Sequence, residues 1–200
     1  MFILQFAVII YSIILHEVAH GWVADYLGDP TARLTGRLSL NPLPHIDPLM
    51  TVALPLLLIF TGSPLVFGAA KPVPVDPFNF REPQKDMGLT ALAGPATNLL
   101  IAGAAALILR FTLSPILFSL LSYAVQINVF LAVFNLLPIP PLDGFKVLSG
   151  VLPRDVADSL RGFDNQGFFI LFILLFFFPG VIDTFLMPIA RLLLSFLLPA

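Results

Sequence analysis

The chain has 200 residues, 58% of them hydrophobic and 11% charged, with a formal net charge of −2 and a mean hydropathy of +0.97. That composition excludes an ordinary soluble domain and predicts an all-α polytopic integral membrane protein, a helical bundle seated in a lipid bilayer. No basic tract marks a nucleic-acid partner, and the absence of cysteine rules out disulfides and thiolate metal ligands.

The first predicted element is an apolar helix from about Phe2 to Leu27, long enough to cross a bilayer. It has neither a basic leader nor a small-residue cleavage site, so it reads as a retained span and not as a signal peptide. Inside it lies HEVAH, His16 to His20. Ionisable side chains are expensive at membrane depth unless they serve a function. The i,i+4 spacing puts both imidazoles on one helix face, where they can close on a single Zn²⁺ while Glu17 reaches a water as general base. The alternative is a chance match, or two histidines satisfied inside a helix bundle.

The second apolar stretch, Pro48 to Ala70, is interrupted by Pro55, by the Gly62-Ser63-Pro64 turn signal and by Gly68. This predicts a re-entrant or proline-broken segment in place of a straight span. Before it, His45 and Asp47 lie in a Pro-rich loop, as turn or surface residues or as groups near the mouth of the site. After it, Lys71 to Phe80 (KPVPVDPFNF) reads as extended or polyproline backbone, either a passive loop or an edge on which an unwound peptide could pair. Two further spans follow at about Gly88 to Phe111 and Pro115 to Leu137. Asn98, behind Gly94-Pro95, either bonds between helices or faces a substrate. The C-terminal stretch, 167–198, is broken by Pro179-Gly180, Asp183 and Pro188 and forms one long span or a hairpin of two short ones. Its Phe-rich run, Phe168 to Phe178, reads as lipid-facing. No repeat, low-complexity tract or soluble region divides the chain, so 1–200 is a single membrane-embedded domain.

A catalytic tetrahedral zinc site takes three protein ligands and keeps one position open. The chain has three histidines, and His45 lies outside the apolar segments, so the outstanding third candidate is Asp143 in NLLPIPPLDG. Pro138, Pro140 and Pro141 unwind the helix end and Gly144 permits a turn, as irregular backbone lining a wet cavity at membrane depth requires. An ordinary helix exit, with Asp143 solvated, would carry the same residues.

HEVAH, NLLPIPPLDG with its leading Asn135, and AGPATN from Ala93 to Asn98 together resemble the site-2 proteases, a family of intramembrane zinc metalloproteases. The blocks GRLSLNPLPHIDPL, Gly36 to Leu49, and FGAAKPVPVDPFNF, Phe67 to Phe80, are also similar to those of its short bacterial and archaeal members. The resemblance covers about residues 15–150. It implies that His16, His20 and Asp143 hold one Zn²⁺ per chain, that Glu17 is the catalytic base, and that Asn98 and Asn135 lie near the substrate or the oxyanion. It also implies hydrolysis of peptide bonds in or near transmembrane segments of membrane-protein substrates, in regulated intramembrane proteolysis. The PDZ-like and nucleotide-sensing modules of larger members, and the extra N-terminal helix of some, have no counterpart in this sequence, so regulation is expected from a separate partner or from homo-oligomerisation.

The histidines and Asp143 all fall toward the C-terminal ends of their spans, so they meet at one depth only if residues 48–70 turn back. Arg33, Arg37, Lys71, Arg81, Lys85, Lys146, Arg154 and Arg161 then share one face, with Arg110 opposite and Arg191 undecided, and the positive-inside rule makes that face cytoplasmic. The expectation is a multi-pass plasma-membrane protein with its site nearer the cytoplasm. Two other classes place ionisable groups in a membrane: a metal transporter or channel, which usually shows sites along a path and often paired repeats, and a catalytically silent scaffold, which the intact HEVAH and LDG oppose. Diiron hydroxylases need more histidines than this chain has.

Overall fold

The computed structural model describes residues 1–62, 68–178, 180 and 182–199. Helix α1 runs from Phe2 to Leu27 and is closed by Gly28, whose φ of 115° is left-handed backbone that a β-carbon would strain. The Asp29 N–H turns back to the Ala24 carbonyl at 2.8 Å, and the chain enters the single-turn helix α2 (Thr31–Leu34).

Asp47 starts the next apolar stretch by accepting the N–H groups of Leu49 and Met50, each at 2.9 Å. A π-helical turn, Pro48–Ala53, leads into α3 (Leu54–Phe60), and together they are too short to cross a bilayer. The chain then comes back: the Ala69 N–H donates to the Met50 carbonyl at 3.1 Å and the Thr51 hydroxyl donates to the Ala69 carbonyl at 2.7 Å. The two ends of the stretch therefore lie side by side, as a re-entrant hairpin requires. Of the predicted turn, Gly62 has a φ of 67°, whereas Ser63 and Pro64 lie outside the described residues.

Residues 71–76, which form neither helix nor strand and end in extended backbone at Asp76, and a 3₁₀ turn, Pro77–Asn79, lead to α4 (Pro83–Leu109) and α5 (Pro115–Asn135). Helix α4 begins five residues before the predicted apolar span because Pro83 fits the first helical turn, where no N–H is needed. Among the described residues, α1, α4 and α5 are the three helices long and apolar enough to span a membrane. The chain is thus a polytopic helical membrane protein. After the irregular residues 136–142 comes α6 (Asp143–Val151), followed by α7 (Arg154–Leu160), a 3₁₀ turn and α8 (Gly167–Phe177). A π turn, Ile182–Leu186, precedes α9 (Met187–Leu197). The C-terminal stretch therefore consists of two short apolar helices; Pro188 sits harmlessly in the first turn of α9, and Pro179 lies outside the described residues.

Helix α4 is the hub, packing against α1, α5 and α6. Small residues let it do so: Ala102, Ala105 and Ala106 meet Val125, Val129 and Val133 of α5 with Leu186 and Ala190 behind them, and a β-carbon on Gly88 would come within 3.0 Å of the Gly150 Cα of α6. Large apolar side chains such as Leu100, Leu107, Phe118 and Phe196 point outward, onto the surface a bilayer covers.

Candidate metal centre

The site is built where α1, α4 and α6 converge. His16 and His20 stand one turn apart on the buried face of α1, with their Nε2 atoms 3.0 Å apart. Asp143, the first residue of α6, brings Oδ2 to 3.1 Å from His16 Nε2 and 3.2 Å from His20 Nε2. Two glycines make this approach possible. A β-carbon on Gly144 would collide with the Leu136 carbonyl and lie 2.5 Å from the Leu137 oxygen, so the aspartate can be folded back onto the end of α5 only with glycine behind it. A β-carbon on Gly94 would strike His20 Nε2 and lie 2.6 Å from His16 Nε2, so α4 reaches the imidazoles only through bare backbone.

A chain of buried polar groups fixes which way each imidazole faces. The Asn128 amide nitrogen of α5 donates to its own Ala124 carbonyl at 2.9 Å and to Ser12 Oγ at 2.8 Å. A carbonyl can only accept, so Asn128 Oδ1 must point the other way, where it accepts from Asn98 Nδ2 at 2.8 Å. That turns Asn98 Oδ1 toward His16 Nδ1, 2.6 Å away, which must carry the proton. His20 Nδ1 donates to the Thr90 carbonyl at 2.7 Å. In the neutral rings both Nε2 atoms are therefore unprotonated, and they face each other and a carboxylate oxygen that finds no donor of its own.

Three acceptors at such distances repel unless a cation lies among them. Four-coordinate zinc with ligand bonds of 2.0–2.1 Å has ligand atoms about 3.3 Å apart, close to the observed triangle. Among the described residues this is the group of metal-ligating side chains whose donor atoms all lie within 4.8 Å of one another. Two imidazoles and one carboxylate suit a divalent cation of borderline softness.

The other predicted residues fall as follows. Glu17 is half-buried beside the cluster, and its Oε2 accepts the backbone N–H of Val73 at 2.9 Å, a link invisible in the sequence. Asn98 is fully buried between His16 and Asn128. Asn135 is half-buried at the end of α5 and gives one amide N–H to the Leu131 carbonyl at 2.9 Å. His45 lies in a turn but is buried, not on the surface, and donates Nε2–H to the Ser39 carbonyl at 2.8 Å, outside the metal-facing group. Ser12 and Asn128 were missed, although an asparagine in the middle of an apolar span is itself a signal of interhelical bonding.

The profile of Peptidase family M50 matches residues 113–178, a segment that carries Asp143. YwhC of Bacillus subtilis, provisionally named a zinc metalloprotease, is 37% identical over 181 residues, which cover 86% of this chain and 78% of YwhC. The chain belongs to peptidase family M50. Other relatives, named in the same provisional way, include Rip2 of Mycolicibacterium smegmatis, 32% identical over 177 residues covering 87% of this chain and 67% of Rip2. MJ0611 of Methanocaldococcus jannaschii is 41% identical over 87 residues, 42% of this chain and 46% of its own. No solved structure matches the chain significantly. Family membership makes this M50 protein a zinc metalloprotease of the site-2 type, and its apolar helices make it a membrane one.

Proposed function

We propose that this M50 protease hydrolyses peptide bonds in or near transmembrane segments of membrane proteins, as a step of regulated intramembrane proteolysis at the plasma membrane. In this reading His16, His20 and Asp143 hold one Zn²⁺ per chain. The observation that carries it is the convergence of two imidazole Nε2 atoms and a carboxylate oxygen within 3.0–3.2 Å of one another beside a glutamate, where three long apolar helices place the chain in a bilayer. Zinc, when bound, supplies the Lewis acidity that acidifies water and polarises the scissile carbonyl.

The chain's own side chains do the rest. Glu17 takes the proton of the attacking water and returns it to the departing amine. Asn98 and Thr90 hold the imidazoles by their Nδ1–H groups, so that the rings cannot rotate away. Asn135, which gives one amide N–H to the Leu131 carbonyl, offers its second to substrate or to a developing oxyanion. A substrate helix must unwind locally, since its carbonyls are otherwise engaged in helical hydrogen bonds. Arg33, Lys71, Arg81, Lys85, Lys146 and Arg154 support a cytoplasmic position for this end of the bundle by the positive-inside rule. Arg37 does not add to that count, because it is buried and bonded to the Lys71 and Pro72 carbonyls.

The test of the ligand set is metal analysis of protein purified from membranes. Wild type is expected to carry one zinc per chain, and His20→Ala and Asp143→Asn to carry little. Full zinc occupancy in both variants would overturn the assignment.

A further inference from the structure

Two buried charged side chains away from the metal triangle act on a single target. Asp29, fully buried, accepts the Thr31 N–H at 3.1 Å, the Thr31 hydroxyl, the Asp76 N–H at 2.7 Å and Asn79 Nδ2 at 2.8 Å. Arg37, 7% exposed, donates Nη2 to the Lys71 carbonyl at 2.6 Å and the Pro72 carbonyl at 3.2 Å. Both therefore grip the segment from Lys71 to Asn79, one at each end. Between the grips, next to Pro72, the Val73 N–H donates to Glu17 Oε2 at 2.9 Å.

The sequence of the segment suits this use. Pro72 and Pro74 have no N–H and hold the backbone extended on either side of Val73, so the donor has a fixed direction. The Val73 side chain is pressed onto α1: a β-carbon on Gly21, one turn beyond Glu17, would lie 2.8 Å from Val73 Cγ1. Glutamate is a flexible side chain that loses much rotamer freedom when ordered. A hydrogen bond to one carboxylate oxygen fixes it and leaves the other oxygen to exchange the proton.

We propose that this segment is a working part of the hydrolytic site: the Val73 N–H, held in place by Asp29 and Arg37, aims the Glu17 carboxylate. Val73, Asp29 and Arg37 are positioning residues that act through Glu17. The proposal rests on the reading of Glu17 as the base.

The experiment uses the full chain in lipid, with zinc content, thermal melting, kcat and KM on a transmembrane reporter, and hydrogen exchange over residues 71–80 measured for each variant. Val73→Pro removes the N–H where the backbone is already extended, and Val73→Ala keeps the N–H while removing the packing. With zinc content and KM unchanged, Val73→Pro is expected to lower kcat about 10–100-fold, as outer-shell partners commonly do, and Val73→Ala to keep most of it. Asp29→Asn, which turns an acceptor into a donor at the Asp76 N–H, is expected to speed exchange across the segment and lower kcat in parallel. Arg37→Lys is expected to recover part of what Arg37→Met loses. Wild-type kcat in Val73→Pro, equal losses in the two Val73 variants, or faster exchange in Asp29→Asn with kcat unchanged would each overturn the proposal. Glu17→Gln run alongside separates the two claims. If it cleaves as wild type does, the base reading falls; if it is inactive while Val73→Pro is normal, only the positioning claim falls.

Discussion

Gly94→Ala adds a single methyl group at the point where α4 touches the histidine pair. The new β-carbon would lie 2.6 Å from His16 Nε2 and Cε1 and closer still to His20 Nε2, whereas ordinary contact begins at 3.4 Å, so something must move by at least about 0.8 Å. The imidazoles cannot yield freely, because their Nδ1 atoms are held at 2.6 Å by Asn98 and 2.7 Å by the Thr90 carbonyl. A metal site tolerates about ±0.2 Å in its ligand distances, so the required shift is several times too large. Overpacking of this kind destabilises a fold by roughly 1–3 kcal/mol, which leaves room for a folded protein with a spoiled site. The expected result is folded protein with zinc affinity reduced at least about 10–100-fold and cleavage reduced with it. Gly103→Ala is the matched control on the same helix, since nothing lies within 4 Å of its β-carbon. It should melt no lower than wild type, with a gain of up to about 1 kcal/mol. Zinc titration by competition with a chelating dye, together with thermal melting, reads both effects. Wild-type zinc affinity in Gly94→Ala would refute the packing argument.

Asn128→Leu removes the group that orients Asn98, so zinc affinity is expected to fall less than in Asn98→Leu, which strips His16 of its partner directly; the reverse order in a zinc titration would contradict the direction assigned to the network. Gly144→Ala should lose zinc as well, because its β-carbon would collide with the Leu136 carbonyl and push Asp143 away; retained occupancy would speak against it. Burial pushes the Asp29 carboxyl up, but hydrogen bonds from Thr31, Asn79 and Asp76 outweigh this and hold it below the ordinary aspartate range. A depressed carboxyl stabilises the fold above its unfolded value, near ~3.9, and that stabilisation is lost as pH falls through the lower folded value. Asp29→Asn should therefore show a shallower fall of Tm on acidification than wild type, and parallel curves would count against the hydrogen-bonded hub.

How much of this was legible in the sequence depended on whether a feature is local. His16 and His20 could be placed on one face because helical periodicity alone brings i and i+4 together. The turning back of residues 48–70 was readable from its prolines and glycines, and the Met50 to Ala69 hydrogen bond shows the result. Asp143 stood out as a carboxylate in a Pro-rich exit from a span, yet an ordinary loop has the same composition. Only its distances to the histidines bring it into the group. Asn98 had two readings because an asparagine in a span bonds to whatever packs against it, and packing is not written in one helix. Ser12 and Asn128, and above all the bond from Val73 to Glu17 across 56 residues, depend on how separate segments meet, which no periodicity encodes. His45, read as a turn or surface residue, does lie in a turn, but its burial was not legible, because the bonds from its Nε2 to the Ser39 carbonyl and from the Lys71 N–H to its own carbonyl depend on how the loop folds.

The central claim is that Glu17, beside a zinc held by His16, His20 and Asp143, performs the hydrolysis. The most direct measurement pairs zinc content with cleavage of a transmembrane reporter by purified wild type and Glu17→Gln in lipid. The account predicts one zinc per chain in both, cleavage by wild type, and none above background from Glu17→Gln. Cleavage by Glu17→Gln at the wild-type rate, with zinc bound, would contradict it.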